Sequence, residues 1–394
     1  MLLRIAWRDL LQKPLQHSLT VIVAAAAIGL SIAVMLTASS VRQGMVYASM
    51  PFDMIVGAKG SPAQLIFNTI FLQDAPVGNM PASVYRGLQA DQRVEKVIPF
   101  AFGDNYRGFR IVGSTADIFQ LRPTLKEPPI FKLKKGRFFQ REYEAVVGAA
   151  VAAKLKLETG SKFRASHGIV HALEGHEHAE EYVVVGILDP MNRPYDAGIF
   201  TSIETIWDIH DHGSKDVTAL MVRPRDYVGL MQMYGEMNGG KEVQAAFPGK
   251  VMADVFDMLG QSEEVMTVIA YIVMAMALLT LVISLYWSVL DRNRENAVLR
   301  ALGAGRWDIL KIVFLESAVI IGIASISGMA LGHLISYGVS AYMRSRTAVY
   351  APVGFMPQEA VMIAVFALLG IAVSLLPAAT AYRADVAKNL SAQQ

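Results

Sequence analysis

Residues 265–290 read VMTVIAYIVMAMALLTLVISLYWSVL, and residues 291–310 continue DRNRENAVLRALGAGRWDIL. The first string holds 26 residues without a charge. As a helix rising about 1.5 Å per residue it exceeds the roughly 30 Å hydrocarbon core of a bilayer, which predicts a membrane span. The second string places Arg292, Arg294, Arg300 and Arg306 within fifteen residues. It predicts a short basic helix that stops at Gly303-Ala304-Gly305, where glycine accepts the positive φ that ends helices. A span feeding such a helix suits delivery of force or ligand state from one side of the membrane to a partner on the other.

Working outward, the runs 18–41, 312–343 and 360–382 are also long and apolar enough to span. The first is longer than a signal-peptide core and lacks a signal-type cleavage region, so it reads as a span. Ala25, Gly29 and Ala33 repeat there every four residues, and Gly328, Gly332, Ser336 and Ser340 do so in the third span. Small residues at that spacing let helix backbones approach closely. Ahead of the first span, residues 1–17 place Leu3, Trp7, Leu10 and Leu11 on one helical face with Arg4, Arg8 and Lys13 nearby. That pattern fits an amphipathic helix at the membrane surface, in contact with lipid, that is broken at Pro14.

Between the first and second spans, residues 42–264 contain no run able to cross a membrane. FDMIVGA, RVEKVIPFAFG, YRGFRIVGST, KFRAS, EYVVVGIL and AGIFTS read as strands, and SPAQLIFNTIFL, PASVYRGLQ and SIETIWDIH as helices. YEAVVGAAVAAKLKL reads as a strand followed by a helix. KEVQAAFPGKVMADVFDMLGQSEEVM reads as helical with a break near Pro248, and SSVRQGMVYASM as helical too, so both flanks of the insert are expected to be stalks. The fold expectation is a membrane α-helical protein with four transmembrane helices and a large α+β extracytoplasmic domain between the first and second spans.

Orientation follows from charge. Lysine and arginine crowd the N-terminus, the 291–311 loop and the 383–394 tail, while the short 344–359 loop carries Arg344 and Arg346. The positive-inside rule puts the termini in the cytoplasm and 42–264 outside. A net charge of +2 leaves no basic stripe for nucleic acid, and the absence of cysteine excludes disulfides and thiolate sites. No serine is tied to a histidine and an acid by a known local pattern, so no catalytic constellation is assigned.

The layout and the junction residues resemble the FtsX/MacB-type, mechanotransmission class of ABC transporter permeases. RNRENAVLRALGAGRWDILKIVFLES is similar to the family's cytoplasmic loop, and PAATAYRADVAKNL to its C-terminal signature, with Val386 where a proline commonly follows the aspartate. FKLKKGRFFQREYEAVVGAAVAAKLKLETGSKF with YVVVGIL is similar to its periplasmic core. The resemblance implies a non-catalytic inner-membrane subunit of bacteria, working as a homodimer with two copies of a separate ATPase that binds ATP and magnesium. It also implies export or extraction of a lipoprotein, peptide, antibiotic, haem or metal-linked cargo, with a periplasmic adaptor or lipoprotein as a further partner. A regulatory permease that controls a periplasmic enzyme or kinase is the alternative. Consistently, no GxxxxGK[ST] phosphate loop occurs, GGKEV at Gly239 being the nearest string.

The ATPase-coupling residues expected from the loop are Arg292, Arg294, Glu295, Val298, Leu299, Arg300, Leu302 and Gly303. Glu295 in the helix's first turn and Arg300 in its last complement the helix dipole. Val298, Leu299 and Leu302 form an apolar edge for a groove on the partner. Elsewhere, six of the eight histidines lie between 167 and 212, and His167, His171, His176 and His178 are interleaved with glutamates. They form a candidate site for a divalent transition metal, and His210, Asp211 and His212 follow. A metalloprotein built on that loop is the minor functional alternative. Glu316 is expected to reach the interface or to pair with Arg306 or Lys311, and His333 to be satisfied between helices.

Overall fold

In the computed structural model, the described residues are 8, 12–124, 126–168, 177–210, 215–291 and 305–383. Most of the expected interfacial helix, and every expected coupling residue from Arg292 to Gly303, lie outside them. Two compact units divide the chain: one of residues 1–40, 260–340 and 353–394, the other of residues 41–259 and 341–352.

The first unit is helical. Four candidate spans lie at Pro14–Ser49, Glu264–Leu290, Leu310–Thr347 and Pro357–Leu375. They sit in the long helices α1 (Pro14–Ser49), α7 (Pro248–Asp291), α8 (Arg306–Thr347) and α9 (Pro357–Arg383). Pro14 is the first residue of α1, where its missing N–H costs nothing. The core of the unit gathers Ile28, Ile32, Leu36, Leu281, Leu285, Ile320, Ile321 and Phe366. Their neighbours on the outer faces, such as Ile326, Leu334 and Leu368, are exposed apolar side chains suited to lipid.

The second unit is the α+β insert. Its elements are β1 (Met54–Ala58), α2 (Pro62–Thr69), α3 (Ala82–Ala90), β2 (Val94–Ala101), β3 (Asp104–Tyr106), β4 (Phe109–Ser114), β5 (Leu133–Gly136), β6 (Glu144–Val147), α4 (Ala149–Leu155), β7 (Lys162–His167), β8 (Glu177–Leu188), β9 (Gly198–Ser202), α5 (Ile203–Ile209), β10 (Ala219–Pro224), α6 (Tyr227–Gly239) and β11 (Val243–Ala246). The eleven strands of the described residues form one sheet. Strands β11, β1, β10 and β2 lie side by side, antiparallel throughout. From β2 the sheet continues through β4, β3, β7, β8, β6 and β9, and β9 pairs back onto β4, so these six strands close on themselves.

Alternation builds the two cores. Ile55, Ile98, Val112, Val146 and Phe200 point into one cluster. Met54, Val56, Val97, Ile111, Val147 and Ile199 point into the other. Adjacent residues of one strand go to opposite sides, as the two-residue repeat of a strand requires. Arg107 and Gly108, both with positive φ, turn β3 into β4 in the two-residue manner that twisted hairpins favour.

One expectation needs correction, and some elements are new. Residues 243–246 read as helical but form β11 on the sheet edge beside β1, and helix begins only at Pro248. Residues Val243–Ala246 pair with β1 along the sheet edge, and a four-residue stretch running into a long helical pattern gives no separate strand signal. Strands β3, β5 and β10 and helix α6 have no counterpart among the expected elements, Asp104 and Asn105 of β3 lying where a turn between two strands is expected.

Candidate functional site

Four side chains from three parts of the insert converge. Asp104 opens β3, and His167 closes β7 directly opposite it in register. His178 is the second residue of β8, and His210 caps the C-terminus of α5. Asp104 Oδ1 lies 3.0 Å from His178 Nε2, and Oδ2 lies 3.0 Å from His210 Nε2. His167 Nδ1 is 3.6 Å from Oδ1. One potential ligand atom from each residue falls within 4.8 Å of all the others.

The surroundings hold this set in place. Gly168, with φ of +106°, lets the chain turn immediately after His167. Its N–H donates to the carbonyl of Gly103 at 2.9 Å, and its carbonyl accepts from Asn105 Nδ2 at 2.8 Å. The Asp104 carboxylate is fully buried, whereas the His167 side chain is 63% exposed. Burial pushes the Asp104 carboxyl up, but the hydrogen bonds and charge of His210 and His178 outweigh it and leave it below its ordinary range. The hydrogen bond to Asp104 raises His210 against the effect of its own burial. His167, His210, Gly103 and Trp207 border a cleft of about 470 Å³.

Of the four histidines expected as metal ligands, the structure brings together His167 and His178. His171 and His176 lie outside the described residues. Sequence reasoning missed Asp104 and left His210 out of the set. No spacing signal could have found Asp104, because only the β3–β7 register carries it to the histidines.

In the helical unit, the two small-residue ridges meet. A Cβ added at Gly328 would lie 2.8 Å from the carbonyl oxygen of Ala25. One added at Gly332 would lie 2.7 Å from Ile32 Cβ and 2.9 Å from the carbonyl oxygen of Gly29. Ala33 and Ser336 are buried. Polar contacts join α1 to α7: Thr20 Oγ1 donates to Ser284 Oγ at 2.8 Å, and Gln16 Nε2 to the Ser284 carbonyl at 2.8 Å. Glu316 is buried and turns inward, accepting from Ser288 Oγ at 3.1 Å and facing His17 Nε2 at 3.6 Å. Lys311, one of its expected partners, faces Asp308 instead. His333 Nε2 meets Glu359 Oε2 at 2.7 Å.

Four spans, with a closed mixed sheet between the first and second, match two family models. The FtsX-like permease C-terminal model covers residues 267–384, and the MacB-like periplasmic core domain model covers residues 19–238. The chain belongs to the FtsX/MacB-type permease family. Among solved structures, this permease is similar to the periplasmic region of MacB from Actinobacillus actinomycetemcomitans, at 12% identity and a TM-score of 0.36 over 53% of this chain and 95% of that one. It is also similar to the extracellular domain of the noncanonic ABC-type transporter YknZ from Gram-positive bacteria, at 12% identity and a TM-score of 0.32 over 49% of this chain and 98% of that one. No curated protein sequence matches it. As an FtsX/MacB-type permease, the chain is an ABC transporter permease with a periplasmic domain between its first two spans.

Proposed function

We propose that this permease passes the cycle of a cytoplasmic ATPase to its periplasmic domain, as a homodimer in the bacterial inner membrane with two ATPase copies. The observation that carries this reading is α7. One unbroken helix of 44 residues contains both the exit from the inserted domain and the second span. This continuous backbone is the proposed route by which a displacement at one end reaches the other. The termini and the 291–311 loop then lie in the cytoplasm, where Arg292, Arg294, Glu295, Val298, Leu299, Arg300, Leu302 and Gly303 engage the ATPase. Residues 42–264 respond outside, acting on a lipoprotein, peptide, antibiotic, haem or metal-linked cargo.

The family supports a transmembrane subunit that leaves hydrolysis to another chain, and the missing phosphate loop agrees. The second anchor of the coupling is α1. Its last turns are held to the domain by Arg193, which donates to the Tyr47 carbonyl and stacks on the Tyr47 ring. Glu295→Ala and Leu302→Asp are expected to abolish stimulation of the partner ATPase while membrane insertion is preserved. Full stimulation and intact assembly in both variants would overturn the docking assignment.

A further inference from the structure

We propose that Asp104, His167, His178 and His210 form a zinc-binding site in the periplasmic domain. Ligand atoms of a tetrahedral zinc ion, bonded at about 2.0–2.1 Å, stand about 3.3 Å apart. The contacts of Asp104 with His178 and His210 are 3.0 Å, and that with His167 is 3.6 Å. One ligand atom from each residue lies within 4.8 Å of the other three. These spacings bracket the one that a tetrahedral zinc ion sets between its ligands.

The donor set selects the class of ion. Three imidazoles and one carboxylate, without thiolate, suit zinc and its borderline neighbours. Calcium and magnesium take oxygen ligands almost exclusively, and only one carboxylate is offered here. Charge points the same way. Asp104 is buried with a side-chain exposure of 0%, and its ion-pair partners among the described residues are all histidines. The three rings crowd together with centroids 5.2–5.9 Å apart. A divalent ion uses the lone pairs of these neutral-form imidazole nitrogens and the buried carboxylate together.

The site also has an entrance and a fastening role. His167 is 63% exposed and, with His210, lines the 470 Å³ cleft, so the ion enters from that side with His167 as the last ligand to close. His178 and His210 are largely covered, at 18% and 21%. With four protein ligands the site is closed, which is the structural or sensing pattern rather than the hydrolytic one. Bound zinc ties the β7–β8 pair and β3 to the end of α5. The periplasmic domain is thereby stabilised by an amount that rises with the logarithm of free zinc above its dissociation constant.

The test uses the full chain in lipid nanodiscs, purified without a histidine tag, with Zn²⁺ alone as ligand. Competition against a chromophoric chelator should give one zinc per chain. Asp104→Ala and His210→Ala should each weaken binding by about tenfold or more, because each removes a direct ligand. The double variant His171→Ala with His176→Ala should bind as the parent does. Cobalt substitution should give the intense visible bands of a four-coordinate site, and these bands should be lost in His210→Ala. Asp104→Asn, which keeps the side-chain shape, separates a lost ligand from a lost fold. Zinc should raise the melting temperature of the parent and not that of Asp104→Asn. Absence of zinc binding by the parent overturns the assignment. So does binding that survives Asp104→Asn and His210→Ala but is lost with His171 and His176. None of these readouts involves the ATPase, so they stand or fall independently of the coupling reading.

Discussion

The Arg193 guanidinium lies 3.8 Å from the centroid of the Tyr47 ring and donates to the Tyr47 carbonyl, joining residues 146 positions apart. Arg193 is 3% exposed, and burial lowers its pKa, so this cation is held out of water by what it touches. A buried guanidinium over an aromatic ring contributes about 2 kcal/mol when desolvated, and a hydrogen bond from a charged donor about 1.5–3 kcal/mol. The contact fixes the last turns of α1 to the loop ahead of β9.

Arg193→Ala is therefore expected to destabilise the inserted domain by about 2–3 kcal/mol. Amide exchange over residues 45–49 should accelerate in the same variant. Arg193→Lys should not restore the parent, because an ammonium lacks the planar fork that stacks and donates together. Hydrogen exchange on the full chain in nanodiscs checks both, and unchanged protection of 45–49 would contradict the anchor.

The α1–α8 seam makes a second prediction. At Gly332 even a methyl group meets Ile32 Cβ at 2.7 Å and the Gly29 carbonyl oxygen at 2.9 Å, and neither helix backbone can yield without parting the seam. Gly332→Ala should cost about 1–3 kcal/mol by overpacking. Gly338, on the same helix, has nothing within 4 Å of an added Cβ, so Gly338→Ala should be neutral or stabilising by about 0.5–1 kcal/mol. Equilibrium unfolding in mixed micelles compares the two. Equal effects would show that the small-residue spacing does not set this packing.

The contrast between that seam and the histidine cluster shows what the sequence makes legible. Small residues every four positions reveal a ridge because helix geometry repeats locally, so Gly29 and Gly332 are readable from spacing alone. The spans are readable for the same reason: hydrocarbon thickness sets their length. Asp104 and His210 meet only because β3 pairs with β7 and α5 ends beside them, a consequence of long-range register. Composition drew attention to the histidine-dense stretch at 167–178, but it carried no information about which two of its histidines face an aspartate 63 positions before His167. Strand β11 was hidden differently, because four residues are too few to stand out beside a 44-residue helix.

Acid sensitivity of the inserted domain should run in part through Glu144. It accepts from Arg137 at 2.5 and 2.7 Å and from the amides of Gln140 and Arg141 at 2.8 and 3.2 Å. The Arg137 hydrogen bonds, followed by those amides and the arginine charge, outweigh desolvation and hold its carboxyl at about 2 against an ordinary 4.5. A depressed folded-state pKa adds stability that is complete above the unfolded value and is lost as protons bind. The contribution is thus present above about pH 4.5 and disappears as pH falls toward 2. Glu144→Gln should be less stable than the parent at neutral pH, and the difference should shrink across that window. A difference that stays constant from pH 6 to pH 3 would mean that the carboxylate charge is not what holds the β5–β6 turn.

In the helical unit, Glu359 is 2% exposed in the first turn of α9, where one oxygen accepts from the Met356 amide at 2.7 Å and the other faces His333 Nε2 at 2.7 Å. The carboxylate thus closes the start of α9 and ties it to α8, with the His333 ring also 4.5 Å from that of Phe355. Polar contacts between membrane helices contribute about 0.6 kcal/mol on average and up to about 1.7 kcal/mol, because the separated helices also find partners. A double-mutant cycle of His333→Ala and Glu359→Ala should return a coupling toward the upper end of that range, since both groups are largely shielded from solvent. Glu359→Ala alone should cost more than His333→Ala alone, because it also leaves the Met356 amide without its acceptor at the helix start. Mixed-micelle unfolding of the four chains measures the cycle. A coupling of zero, or a larger loss from the histidine variant, would place the stability of α9 in its apolar packing instead of this pair.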